Sequence, residues 1–122
     1  MQTKEIQPNE WPKFFDNFSR KHEGEILNIE ILGRDIGAQL EEKGLALEGI
    51  TAEAAGNRIV IMAGGRPDDH VTHAVDYPTE VNIERTEEGD DAALAINSAD
   101  GTTTLLRFCL RPLPEPSDAV TQ

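Results

Sequence analysis

The feature that most constrains this fold is one helical stripe of aromatic side chains near the N-terminus. Trp11, Phe14, Phe15 and Phe18 in "EWPKFFDNFSRKHEG" follow the i, i+3, i+4, i+7 spacing of one helix face. They are four of the six aromatic residues in the chain. With one ambiguous exception, no helical period of useful length recurs after residue 24. The stripe therefore predicts a core helix that packs on a sheet rather than on a second helix.

Signals at both ends bound this helix. Asn9 is expected to cap it, and Pro12 falls in the first turn, where a missing backbone N–H is tolerated. Gly24 is expected to end it. His22 lies in the last turn, where its simplest role is a charge partner for the helix dipole rather than a catalyst.

From residue 25 onward the pattern changes to short segments typical of strands. "EILNIEIL" and "TEVNIERT" place apolar side chains on one face and polar side chains on the other. Gly49 separates apolar residues that are out of phase, which predicts a bulge, and Asp100 followed by Gly101 predicts a hairpin turn. The stretch "GRDIGAQLEEKG" at residues 33–44 is expected to be a turn or a short irregular segment.

These signals together predict an α+β fold. We expect an N-terminal helix packed on a curled antiparallel sheet of about six strands, small and open barrel-like. A chain of 122 residues fits one domain, which at this size buries roughly two thirds of its unfolded surface. The domain is expected over residues 1–112, followed by a flexible, proline-rich tail over residues 113–122.

The charge of the chain excludes some partners. Its 23 acidic and 11 basic residues give a net charge of −12, which repels phosphates, so we expect no nucleic-acid and no membrane partner. No apolar run approaches the roughly 20 residues that span a bilayer, and the N-terminal segment lacks the apolar core of a signal peptide. The single cysteine, Cys109, is expected to be a small, buried apolar filler, and the alternative, suggested by the flanking Arg107 and Arg111, is a reactive thiol. These features predict a cytoplasmic protein.

The stretch "RPDDHVTHAVDYP" holds the candidate polar site, which consists of Asp69, His70, His73 and Asp76. As a helix, it would place Asp69, His73 and Asp76 on one stripe with His70 close by, able to hold a divalent ion or share protons. As a strand, it would point the two histidines to opposite faces.

The strand is favoured, because Val71, Thr72 and Val75 are β-branched and Pro78 suits a tight link to the next strand. The histidines are then expected to be polar strand residues that hydrogen-bond across the sheet. No G-x-S-x-G elbow and no other coherent catalytic set is visible. We therefore assign no catalytic residue and expect no metal and no cofactor.

Three stretches resemble a known family: "EWPKFFDNFSRKHEG", "DDHVTHAVDYPTEV" and "SADGTTTLLRF". Together they are similar to the bacterial family known as domain of unknown function 5335, and the similarity covers nearly the whole chain up to residue 110. The Trp and Phe spacing and the His-x-x-His-x-x-x-x-Pro pattern are its specific parts. The resemblance implies a short stand-alone bacterial protein, and it implies no activity, cofactor or catalytic residue.

The leading hypothesis is a non-enzymatic interaction module that presents acidic faces to a protein partner or to a second copy in a homodimer. One alternative is a metal- or ligand-binding protein or an enzyme that uses His70 and His73, which requires the polar groups to converge. A second alternative is a small-molecule sensor that uses the concave face of the sheet, with Trp11 and Tyr77 at the mouth. It requires a pocket of roughly 300 Å³ or more.

Overall fold

The computed structural model describes residues 2–33, 37–53, 57–64 and 70–109. Helix α1 spans Trp11–His22 and follows a 3-10 turn at Pro8–Glu10. The strands in this part of the chain are β1 Gln2–Ile6, β2 Ile26–Gly33, β3 Gly37–Ala52, β4 Arg58–Gly64, β5 Val71–Asp76, β6 Pro78–Arg85, β7 Asp91–Ser98 and β8 Thr103–Phe108. The tail predicted over residues 113–122 lies outside the described residues. No described helix has the length and apolar character needed to cross a membrane.

All the described strands belong to one antiparallel sheet with the order β1-β6-β7-β8-β2-β3-β4-β5. The predicted architecture, one N-terminal helix on a curled antiparallel sheet, is confirmed. The described residues form eight strands rather than about six, because β1 carries no clear alternation in the sequence and because the stretch that forms β5 has a sequence pattern compatible with either a helix or a strand.

The sheet curls but does not close into a barrel. The chain passes from β5 to β6 through Tyr77 alone, although the two strands are far apart in the strand order. The sheet must therefore curl until the end of β5 meets the start of β6. Strand β1 pairs with β6 from Val81 to Arg85, so it occupies the edge of β6 that closure would require.

Helix α1 covers the concave face of the sheet. Trp11, Phe15 and Phe18 are buried in the core, and Phe14 packs against it from a half-buried position. The indole N–H of Trp11 donates to the carbonyl of Ile6 over 2.9 Å, which fixes the start of the helix against β1. Burying these aromatic side chains contributes on the order of 2–3 kcal/mol each, so the helix is a main source of core stability.

The helix also joins β3 where that strand is irregular. The register between β3 and β4 shifts between Leu47 and Gly49, which confirms the bulge predicted at Gly49. Ser19 Oγ accepts a hydrogen bond from the backbone N–H of Ile50 over 2.8 Å and lies 2.7 Å from the carbonyl of Phe15. A helix side chain thus satisfies a backbone donor of the sheet.

Two local predictions were wrong. Residues 37–43 form the first half of β3 rather than a turn, because their backbone pairs with β2 although the sequence there shows no alternation of apolar and polar residues. Asn9 does not cap the helix. It lies in the 3-10 turn, and the N-cap residue is Glu10, whose side chain makes no capping hydrogen bond.

We predict that Ser19→Ala lowers the free energy of unfolding by about 1–3 kcal/mol, since it leaves the Ile50 N–H without its partner. The measurement is urea unfolding followed by circular dichroism. Asn17→Ala, at an exposed position of the same helix, is the control and should change stability by less than about 0.5 kcal/mol. Equal effects of the two substitutions would contradict the role given to Ser19.

Candidate functional site

In the structure, each described residue of the predicted site contacts a different side chain. Residues 71–76 form a strand, as favoured from the sequence, and Asp69 lies outside the described residues. His70 Nδ1 lies 3.0 Å from Glu48 Oε2, Asp76 Oδ1 accepts from Arg58 Nε over 2.8 Å, and His73 Nε2 lies 3.5 Å from the hydroxyl of Thr104. His70, His73 and Asp76 therefore do not share one described cluster.

Two of these residues line a cleft on the concave side of the sheet, which we call the His73 cleft. It has a volume of about 630 Å³ and is lined by residues 73–77, residues 98–100, Ile31, Thr102 and Thr104. One wall is therefore the last part of β5 with Tyr77, and the other wall is the turn between β7 and β8. The cleft lies where the curled sheet fails to close.

The free edge of β5 forms one wall of this cleft. The N–H of Tyr77 donates to the carbonyl of Asn57, and hydrogen-bonded pairs alternate along an antiparallel ladder. The backbone groups of Thr72, Ala74 and Asp76 therefore point away from β4. The carbonyl of Asp76 accepts from Ser98 Oγ over 2.7 Å, whereas the backbone groups of Thr72 and Ala74 have no partner among the described residues.

Tyr77 is the strained residue of the cleft. Its φ of 53° is in the left-handed region, and it is the only described residue other than glycine with a positive φ. Its N–H donates to Asn57, its carbonyl accepts from the N–H of Ala99, and its side chain is 67% exposed. A left-handed backbone costs roughly 1–2 kcal/mol for such a residue, and an exposed ring contributes little packing in return. The left-handed backbone makes the one-residue link between β5 and β6, and it leaves the ring exposed at the cleft.

The floor and rim of the cleft are polar. The Thr104 side chain is buried, and its described partner is the imidazole of His73 at the long distance of 3.5 Å. At the rim, hydrogen bonds from the hydroxyl and N–H of Thr102 lower the pKa of the Asp100 carboxyl below its ordinary value. Asp100 is thus a fixed negative charge at neutral pH, and the cleft offers an imidazole, hydroxyl groups and carboxylates to a ligand.

The second alternative from the sequence placed both Trp11 and Tyr77 at a cleft mouth. Tyr77 lines the His73 cleft, but Trp11 is 4% exposed and lies in the core instead. The cause is the hydrogen bond from its indole N–H to Ile6, which holds the ring inside.

A second polar cluster lies at the C-terminal end of α1. We call it the His22 network, and it consists of Lys21, His22, Glu25, Arg85 and Asp91. His22 Nε2 lies 2.7 Å from Asp91 Oδ2, and His22 Nδ1 lies 2.9 Å from Glu25 Oε1. Asp91 Oδ1 also accepts from Arg85 Nε over 2.9 Å, and Lys21 Nζ lies 3.5 Å from Asp91 Oδ2. Each ring nitrogen of His22 thus lies within hydrogen-bond distance of a carboxylate oxygen.

Burial and hydrogen bonding act in opposite directions on Asp91. Burial alone raises the pKa of its carboxyl, but the hydrogen bonds from His22 and Arg85 and the charge of Lys21 outweigh burial and lower the pKa below its ordinary value. Asp91 is therefore ionised at neutral pH. Because both nitrogens of His22 are occupied, we interpret this network as a structural joint between α1 and β7.

Sequence reasoning missed this network. His22 was expected to be a dipole partner in the last turn, and the acidic run "TEEGDD" that ends at Asp91 is by its sequence typical of a solvent-exposed charged turn. The two residues are 69 positions apart, so no local spacing relates them. Cys109 was also predicted wrongly as a buried filler. It is exposed just after β8, with its Sγ 3.6 Å from Asn28 Oδ1.

Among the described residues, no group of three or more His, Cys, Asp or Glu side chains has the geometry to hold a metal ion. The side chains that converge in the His73 cleft are suited to binding through hydrogen bonds and charge. We infer from the geometry that the cleft, rather than the histidine pair itself, is the candidate site.

Comparison with known proteins gives a family but no activity. A family model described as "Family of unknown function (DUF5335)" matches residues 2–117. An uncharacterized protein of Aquifex aeolicus (strain VF5) is 28% identical over 116 residues, which cover 94% of this chain and 100% of the relative. No solved structure matches the chain significantly.

We predict that Asp91→Asn lowers the free energy of unfolding at pH 7 by about 2–4 kcal/mol, because the cations around it lose a buried charged partner. The folded pKa of Asp91 lies below the unfolded one, so its contribution is complete above the unfolded pKa and is lost as pH falls through the folded pKa. The difference between the two proteins should therefore shrink below about pH 4.

Urea unfolding from pH 7 to pH 3 measures this dependence. Glu87→Gln, which removes an exposed acid in the turn just before β7, is the matched control and should change stability by less than about 0.5 kcal/mol at every pH. A difference between wild type and Asp91→Asn that stays constant down to pH 3 would contradict the linkage.

We also predict that Tyr77→Gly raises the free energy of unfolding by about 0.5–1 kcal/mol, because glycine adopts a φ of 53° without strain. The neighbouring Ala99→Gly is the control. Ala99 has an ordinary backbone conformation, so the glycine there should lower stability by about 0.5–1 kcal/mol. If both substitutions destabilise the protein equally in thermal unfolding, Tyr77 is not strained.

Proposed function

This chain belongs to the DUF5335 family of unknown function, and we propose that it is a non-enzymatic interaction module of the cytosol. In this proposal it binds an extended segment of a partner protein in the His73 cleft, by adding that segment as a strand to the edge of β5. The observation that carries the proposal is the outward-facing backbone of Thr72 and Ala74, which has no described partner along the wall of the cleft.

An unpaired strand edge is a ready template for another strand. The edge of β5 carries neither a lysine nor a proline between Val71 and Asp76, and these are the residues that usually block such pairing. The side chains of Thr72 and Ala74 are small and exposed, so a neighbouring chain can approach. Backbone hydrogen bonds would give affinity, and the side chains that line the cleft would give specificity.

The described part of the His73 cleft holds no oriented acid–base pair, which supports binding rather than catalysis at this site. A general base needs a hydrogen-bonding partner that orients it. In the described part of the cleft, His73 contacts the Thr104 hydroxyl at 3.5 Å, and no described carboxylate hydrogen-bonds to it. The charge of the chain supports a different protein as partner, since two copies at −12 each repel one another.

A second candidate function is the binding of a small polar molecule in the same cleft. Its volume of about 630 Å³ is within the range of small-molecule sites, and the His73 imidazole and Thr104 hydroxyl could orient a ligand. Binding of a small molecule does not use the backbone of β5. A substitution that removes an outward N–H of β5 should therefore weaken the binding of an added strand but not that of a small molecule.

We predict that Ala74→Pro abolishes peptide binding and that Ala74→Ser does not. The Ala74 N–H points away from β4, so proline removes an outward donor and spares the ladder, whereas serine keeps the N–H. The probe is a random library of extended eight-residue peptides presented to the full chain. Peptides retained by wild type should bind Ala74→Ser with similar affinity and Ala74→Pro at least tenfold more weakly, which corresponds to about 1.4 kcal/mol.

Amide hydrogen exchange gives the direct readout of strand addition. The amides of Thr72 and Ala74 should exchange rapidly in the free protein and become protected when a retained peptide is bound. Thermal unfolding of both variants checks that the fold is intact. A library from which no peptide is retained, or peptides that bind Ala74→Pro as well as wild type, would contradict the proposal. Binding insensitive to the proline would favour the small-molecule candidate.

A further inference from the structure

Tyr77 presents an exposed aromatic ring at the end of the β5 edge. It lines the His73 cleft and also a smaller cleft of about 400 Å³, whose other lining residues are Glu53, Asn57, Arg58 and Asp76. Its backbone is held from both sides, by Asn57 and by Ala99. The ring is therefore an exposed aromatic surface on a fixed support at the junction of two clefts.

The surroundings of this ring are negative. Apart from His73, the described charged residues that line the two clefts are the acids Glu53, Asp76 and Asp100 and the base Arg58, which together carry a net charge of −2. Arg58 is already paired with Asp76 over 2.8 Å. The described contacts give Asp100 no ion pair, and Glu53 attracts Arg58 only beyond ion-pair distance, so a cation that arrives at Tyr77 has a carboxylate available in each of the two clefts.

We propose that the segment which adds to β5 is basic, and that it places an arginine side chain on the ring of Tyr77 between the carboxylates of Glu53 and Asp100. This inference rests on the proposed function, because strand addition to β5 is what delivers the segment to Tyr77. It adds the chemistry of the partner, which the free edge alone does not specify. The charge of −12 over the whole chain favours the same class of partner.

The geometry of strand addition leads the segment to this ring. Residues on an added antiparallel strand would lie opposite Thr72 and Ala74. The next residue of the added segment would lie near Asp76, whose outward carbonyl already accepts a hydrogen bond from Ser98. The backbone ladder therefore ends at Asp76, and beyond it the segment is within reach of Tyr77 through its side chain. A guanidinium is planar, stacks on aromatic rings and donates in its own plane, so it can contact the ring and a carboxylate at once.

The peptide library provides the first test. Peptides that bind by strand addition should be enriched in arginine, and to a lesser degree lysine, at one terminal position, and their binding should weaken as salt is raised. In the tightest peptide, replacing that arginine by citrulline keeps the shape and removes the charge. We expect about a tenfold loss of affinity for wild type in calorimetric titration.

Variants of the chain locate the effect on the ring. Tyr77→Phe keeps an aromatic face and should keep the tenfold preference for arginine over citrulline. Tyr77→Asn removes the ring with a residue that tolerates the left-handed backbone, and it should reduce the preference to about twofold. Asp100→Asn removes a charge but keeps the oxygen that accepts from Thr102, and it should reduce the preference by about threefold.

The outcomes separate this inference from the proposed function. Peptides that protect the Thr72 and Ala74 amides but show no basic enrichment and no citrulline effect would overturn the inference and leave strand addition standing. A preference for arginine that is unchanged in Tyr77→Asn would also overturn it. If no peptide binds, or if binding survives Ala74→Pro, strand addition itself fails and the inference fails with it.

Discussion

The pairing of β1 with β6 is the constraint on which the rest of the structure depends. The chain returns from β5 directly into β6, so a sheet with this curl would close if β5 could pair with β6. Residues 2–6 occupy that edge instead, from Val81 to Arg85. The sheet is left open, the helix covers one part of the concave face, and the uncovered part is the His73 cleft. An N-terminal strand of five residues thus decides whether the interior is a sealed core or a site.

The helix fixes the width of this opening. Ser19 bonds the backbone of β3 at Ile50, and His22 bonds Asp91 at the start of β7. Strands β3 and β7 are not neighbours, because β8 and β2 lie between them, so the helix ties two separate parts of the curled sheet. The ring of His22 also packs against Phe18 and Phe108 in tilted arrangements, with a centroid distance of 4.6 Å in each pair, which adds packing to the polar joint. Because the helix holds the curled sheet at both β3 and β7, the sheet has little freedom to flatten. The walls of the His73 cleft are then already ordered, so binding a ligand there costs less conformational entropy.

The features that could be predicted from the sequence are those encoded over a few residues. The aromatic stripe needs only one helix face, the turn at Gly101 needs only two adjacent residues, and the bulge at Gly49 is visible as a change of phase. The missed features depend on partners far along the chain. Strand β1 and residues 37–43 are extended because other strands pair with them, and the site residues His70, His73 and Asp76 find separate partners on β3, β8 and β4. Tyr77 gave no local signal, since the residue before a proline is biased towards extended backbone.

The acidic surface of the chain and the open edge of β5 are physically related, because the charge opposes edge-to-edge pairing of two copies. An exposed strand edge of β-branched residues invites pairing between copies, which leads to aggregation. Strand β5 carries no proline or lysine between Val71 and Asp76, and a charge of −12 on each chain opposes the approach of a second copy to this edge. The same charge that repels a second copy attracts a basic segment, and both effects weaken as salt screens them. An edge left open for binding is therefore consistent with an acidic protein, and neutralising the surface should expose the edge to self-association before it changes the fold.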